Sequence, residues 1–154
     1  MKKRIDYKAE SPGAFQAMLA MENHVRQCGL EHSLIELVKM RVSQINGCAY
    51  CLDMHSKDAR AAGETEQRLY LLSAWRETSF YSERERAALA WAESVTRLAG
   101  HGVQDVLYDE VRRQFKEKEL VDLTLAIIAI NGWNRLAISF RSEVGINQVV
   151  GRAN

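Results

Sequence analysis

The sequence predicts an all-helical chain, and three observations carry that reading. Its 154 residues include one proline and nine glycines, so long helices run with little interruption. Apolar side chains recur at helical spacing, as in Leu34, Ile35, Val38, Val42 and Ile45. No segment shows sustained strand alternation. The length fits a single domain, residues 1–154, and the composition is that of an ordinary globular chain, with 47% apolar and 27% charged residues.

Each expected element has a local cause. The first ten residues form a polar arm. Ser11-Pro12 starts a helix with a capping residue followed by proline at the first helical position; Phe15, Met18, Leu19 and Val25 make its apolar face, and Gly29 ends it. A second helix is expected from Ser33 to Asn46, stopped by Gly47, and a third from Cys48 to Ala62, stopped by Gly63. Thr65 caps a short helix through Trp75. Ser82-Glu83-Arg84-Glu85 is a capping box that opens a helix reaching Ala99. Gly100-His101-Gly102 breaks the chain. A sixth helix covers Gln104 to Phe115, and the last runs from Lys118 to Arg141 with an irregularity expected at Asn131-Gly132. The expected architecture is a bundle of six to seven helices.

A net charge of +1 gives no basic excess of the kind that a nucleic-acid or membrane surface demands, so neither partner is expected. Met1-Lys2-Lys3-Arg4 looks like the start of an export signal, but polar Ile5-Asp6-Tyr7-Lys8-Ala9-Glu10 follows where an apolar stretch is required. The apolar run Leu123 to Ile130 contains Thr124 and is too short to span a bilayer. A cytoplasmic location is the resulting expectation. Thiols stay reduced there, so a close cysteine pair points to catalysis or metal binding before it points to a structural staple.

Asn46-Gly47-Cys48-Ala49-Tyr50-Cys51-Leu52-Asp53-Met54-His55 carries the chemistry. Unpaired N–H groups at a helix start favour a thiolate, the nucleophilic form of cysteine. One helical turn brings the two sulfurs within bonding range, so one can attack an oxidant or a disulfide and the other can resolve the product. His55 lies four residues after Cys51 and seven after Cys48, on the same helix face. It can exchange a proton with a thiol near neutral pH. Three other readings stay open: a zinc site of Cys48, Cys51 and His55 completed by Cys28, His24 or an acid; two small cysteines that merely fill the core beneath Tyr50; and a surface histidine without chemistry.

Cys48-Ala49-Tyr50-Cys51-Leu52-Asp53-Met54-His55-Ser56-Lys57-Asp58-Ala59-Arg60 resembles the core of the AhpD-like alkylhydroperoxidases, within the wider carboxymuconolactone decarboxylase family. The family's glutamate, twelve residues before the first cysteine, falls on Glu36, and Asn131-Gly132-Trp133-Asn134-Arg135-Leu136 resembles a recurrent segment of the C-terminal helix. The resemblance implies an all-helical, AhpD-like fold assembled as a homo-oligomer, a trimer or hexamer. It implies an antioxidant, thiol-dependent reduction of hydroperoxides without a cofactor. Cys51 would attack the peroxide, Cys48 would close the disulfide, and Glu36 with His55 would relay the proton. A dithiol donor such as a lipoyl-bearing protein would restore the thiols. The helix-start argument favours Cys48 as the more acidic thiol, whereas the resemblance and the proximity of His55 favour Cys51 as the attacking one. A slowly cycling redox sensor or binding protein, and an enzyme of the decarboxylase branch, are the alternatives; the decarboxylase branch lacks the dithiol.

Glu36 stands roughly 160° from Val38 around the helix, opposite the main apolar stripe. Periodicity alone therefore makes it a solvated acid; if buried against the dithiol helix, it would have a raised pKa suited to proton transfer. Tyr50 occupies the place of a second histidine in the characterised enzyme and does not titrate near neutral pH. Elsewhere, Trp133, Asn134 and Arg135 could line a pocket or a subunit interface, but the favoured expectation is that Trp133 packs and Arg135 pairs with a helix acid; Cys28 is expected to be a buried small residue, and Glu83-Arg84-Glu85-Arg86 a solvated helix start. Trp75, Phe80 and Tyr81 are expected to form a staple before Ser82 or an oligomer contact.

Overall fold

The computed structural model describes residues 2–100 and 102–146. They form eight α-helices and no strand: α1 (Tyr7–Glu10), α2 (Pro12–Gln27), α3 (His32–Asn46), α4 (Ala49–Ala61), α5 (Glu66–Leu71), α6 (Glu83–Thr96), α7 (Asp105–Arg112) and α8 (Glu117–Phe140). A 3₁₀ segment, Leu72–Glu77, follows α5.

Two helices organise the rest. α3 packs against α4, α6 and α8, and α8 packs in turn against α2, α3, α4, α6 and α7. Val38, Val42, Leu123, Ala126, Ile127 and Ile130 form the seam between them, all fully buried. A second cluster of Leu37, Met40, Ala59, Leu72, Trp75, Tyr81 and Leu89 fills the other side of α3. α8 is long and apolar enough to cross a membrane by composition, with a mean hydropathy of 1.3. Its apolar face instead walls the core of the bundle.

The expected helices are present, with their ends shifted. The eighth, α1, is a single turn within the polar arm; Asp6 caps it by accepting from the Lys8 N–H at 3.2 Å. Its hold is aromatic, because the Tyr7 ring packs 6.4 Å from Phe15 and 5.8 Å from Phe140. The helix expected from Thr65 to Trp75 changes to 3₁₀ after Leu71, with a kink at Ala74. The capping box at Ser82 is formed. No irregularity occurs at Asn131-Gly132, and α8 runs through it. Gly132 serves packing: a Cβ there would lie 2.8 Å from Met18 Cε, so the end of the Met18 side chain occupies the space beside it.

Three other expectations are corrected. The Glu83–Arg86 stretch is not simply solvated. Arg84 pairs with Glu31 and Glu119 and covers the Phe115 ring, while Arg86 donates to the carbonyls of Trp75 and Thr78. Arg135 donates to the carbonyl and side chain of Asn131, not to an acid. Cys28 is a free thiol of intermediate exposure. Trp75 and Tyr81 lie in the core before Ser82, whereas Phe80 is exposed.

Candidate active site

The dithiol sits on the tight connection between α3 and α4. Gly47 adopts the left-handed conformation (φ 69°) that a side chain resists, and its N–H and that of Cys48 satisfy the last carbonyls of α3 at Gln44 and Ser43. Cys48 then becomes the N-cap of α4, with its Sγ accepting the Cys51 N–H at 3.3 Å. Cys48 and Cys51 are joined as a disulfide with Cα atoms 5.4 Å apart, an ordinary span for such a bond.

His55 follows Cys51 by one turn and is buried. Its Nδ1 lies 2.8 Å from Glu36 Oε2 across the α3–α4 interface. Glu36 is only 4% exposed, against the periodicity reading, because α4, α6 and α8 pack around α3 and leave it almost no solvent face. Burial pushes the Glu36 carboxyl up, but the His55 hydrogen bond and the charges of His55 and Lys39 outweigh it and hold the pKa below its ordinary value. The expected raised pKa is thereby corrected. An ionised carboxylate only accepts, so His55 Nδ1 carries the shared hydrogen and Nε2 is left as the basic nitrogen.

A cavity of about 530 Å³ opens onto this pair. Cys51, His55, Glu36, Tyr50 and Trp133 line it, together with apolar Phe15, Leu19, Ile35 and Met54. Cys48 does not line it. Of the two cysteines, then, Cys51 is the one in the cavity wall, and Cys48 stands at the helix start outside it.

The structure also brings in residues that the sequence did not single out. Lys39, one turn after Glu36, is 3% exposed, and its Nζ lies 2.5 Å from Oε1 of buried Glu22 on α2. Burial raises the Glu22 pKa, yet Lys39 overrides this and lowers it. Both residues line the cavity. Asp58 joins Glu36 and His55 so that their ligand atoms lie within 4.8 Å of one another, a set compatible with a divalent cation. Of the fourth ligands named from sequence for a zinc site, His24 and Cys28 do not line the cavity, His24 being held by Asp122 at 3.0 Å; an acid, Glu36, does reach His55, while the two cysteines are joined to each other. The i, i+3 step from Glu36 to Lys39 was visible in the sequence, but its partner Glu22 was not, because no local rule pairs α2 with α3.

Comparisons with known proteins agree with this architecture. Residues 12–94 match the carboxymuconolactone decarboxylase family. YdfG of Bacillus subtilis is 46% identical over 139 residues, covering 90% of this chain and 95% of that protein. A crystal structure of ATU0492 from Agrobacterium tumefaciens, described as a candidate antioxidant defence protein AhpD, superposes with a TM-score of 0.91. It is 48% identical and covers 95% of this chain and all (100%) of that one. A peroxidase-related protein of Ralstonia eutropha, described as an alkylhydroperoxidase AhpD core, shares the fold at 21% identity and a TM-score of 0.79, covering 90% of this chain and 74% of its own. The match over more than half of the chain, together with these two relatives above 45% identity, places it: the chain belongs to the carboxymuconolactone decarboxylase family and has the AhpD-like fold.

Proposed function

We propose that the protein is a thiol-dependent peroxidase that reduces organic hydroperoxides through Cys51 and Cys48. The observation that carries this reading is the single cavity wall on which Cys51 meets the Glu36-held His55, with Cys48 one turn away and off the wall. In the reduced protein His55 Nε2 takes the Cys51 proton, and ionised Glu36 stabilises the resulting imidazolium without itself moving a proton. The thiolate attacks the outer peroxide oxygen and becomes a sulfenic acid. Cys48 condenses with it, releasing water and forming the disulfide.

The return step fits the same geometry. A dithiol reductant, such as a lipoyl group on a partner protein, reaches Cys51 through the cavity and attacks its sulfur. Cys48 then leaves as a thiolate stabilised at the N-terminus of α4, and a better-stabilised thiolate leaves faster. Assembly as a homo-oligomer and a location in the reducing cytoplasm belong to the same reading; sedimentation of the purified protein as a single subunit would contradict the assembly.

Intact mass and thiol titration after one equivalent of cumene hydroperoxide test it. The reduced wild type is expected to lose two thiols and two mass units, and Cys48→Ser to accumulate a trappable sulfenic acid. Cys51→Ser is expected to slow consumption by about 10³-fold or more, since the nucleophile is gone. Thiols that react no faster than free cysteine would leave a slow redox-sensing role as the better account.

A further inference from the structure

Resting on that reading, we propose that Lys39 is a further catalytic residue: its ammonium receives the alkoxide that leaves when the peroxide bond breaks, and Glu22 positions it. Three observations converge. Lys39 is buried in the wall of the cavity that holds Cys51, His55 and Glu36. An ammonium has three donors, and the described hydrogen bonds use one, to Glu22. Glu22 Oε2 is buried and accepts no hydrogen bond among the described residues. A pair kept for stability would have its polar atoms satisfied, and a buried ion pair is in any case weak evidence of stabilisation. Here a charged donor is held, with unused hydrogens, in a cavity where a charge must develop.

The chemistry requires such a donor. The Cys51 thiolate forms an S–O bond to the outer oxygen of R–O–O–H, and the O–O bond breaks with its electron pair on the inner oxygen. Sulfur is oxidised to Cys51–S–OH and the hydroperoxide is reduced to RO⁻. The alkoxide takes the proton that His55 removed earlier from the Cys51 thiol and leaves as ROH. Lys39 keeps its own proton throughout; it lowers the energy of the charge on the inner oxygen before the proton arrives. A fixed positive donor that is itself buried, as Lys39 is, is worth more than one in bulk solvent.

Ring-substituted cumene hydroperoxides test the role, because they vary the acidity of the leaving alcohol on a nearly constant body. Single-turnover thiol loss is followed in the reduced wild type, in Lys39→Arg and in the double variant Lys39→Met/Glu22→Gln, which removes both charges and leaves neither unpaired. Alkylation by iodoacetamide, which produces no alkoxide, reports on the Cys51 thiolate separately. The double variant is expected to react about 10²-fold more slowly with hydroperoxides. Its rates should depend more steeply on leaving-group acidity than those of the wild type, while alkylation changes by less than about twofold. Lys39→Arg should restore the shallow dependence. A uniform drop across the series, an unchanged slope, or an equal loss of alkylation would overturn the role of Lys39 and leave the peroxidase reading standing. A wild type that alkylates readily yet ignores every hydroperoxide would remove the peroxidase reading and this inference with it.

Discussion

Glu36 is ionised because His55 is beside it, and the arrangement ties stability to pH. Its folded pKa lies below the ordinary value of 4.5, so its contribution is fully present above 4.5. That contribution is lost as pH falls through 4.5 and on through the lowered folded value. Glu22 and Glu93 are shifted in the same direction by Lys39 and by Arg76, Trp75 and Arg41, against their own burial. Thermal denaturation should therefore show a falling Tm below about pH 4.5. Glu36→Gln should lower stability at neutral pH by roughly 1–3 kcal/mol, a fall in Tm of about 2–12 °C, and flatten the acid limb. A variant with an unchanged acid limb would mean that Glu36 is not the group being titrated. At this scale the sequence identified Cys48, Cys51 and His55 by spacing alone, because all three lie on one helix and one turn fixes their relation. Glu36 needed the family resemblance, and Lys39 with Glu22 needed the structure, because those contacts cross between helices.

The connection from α3 to α4 is only as rigid as the end of α3. Asn134 of α8, fully buried, accepts from Asn46 Nδ2 at 2.8 Å and donates to Ser43 Oγ at 3.1 Å. Asn46 also donates to Asn131, which donates in turn to Thr96 on α6. Three helices are thus clamped at the residue pair that precedes Cys48. Asn134→Ala leaves Asn46 and Ser43 short of partners and is expected to lower stability by about 1–3 kcal/mol. Amide exchange at residues 47–51 should accelerate with it, and exchange confined to α8 would argue that the clamp does not reach the dithiol. Helix starts were legible where a cap or proline marked them, as at Ser11-Pro12, Thr65 and Ser82. Ends were less so: Leu72 leaves the α-helical path inside a good helical pattern because the tertiary site of Trp75 and Tyr81 decides there. The Asn131-Gly132 pair reads as a break in sequence but is a contact in space, since Met18 occupies what a side chain would fill.

For the whole molecule, the bundle and its family were legible because helical periodicity and the dithiol segment are local signals. The cavity was not, since its walls come from α1 to α4 and α8 and no stretch of sequence contains them. If the proposed function holds, the cavity wall also governs how hydroperoxide and reductant share one protein. Cys51 lines the cavity and Cys48 does not, although each is only 1% exposed. On the proposed peroxidase reading, the sulfur that meets the hydroperoxide is also the sulfur that the reductant must strike, and the two use the same cavity at different times. Steady-state turnover should follow double-displacement kinetics, with parallel double-reciprocal lines when dithiol concentration is varied at several fixed hydroperoxide concentrations. Intersecting lines would mean a second route to Cys48. With parallel lines, the reciprocal rates of the two deliveries would add, so each would limit the working rate in proportion to its own slowness.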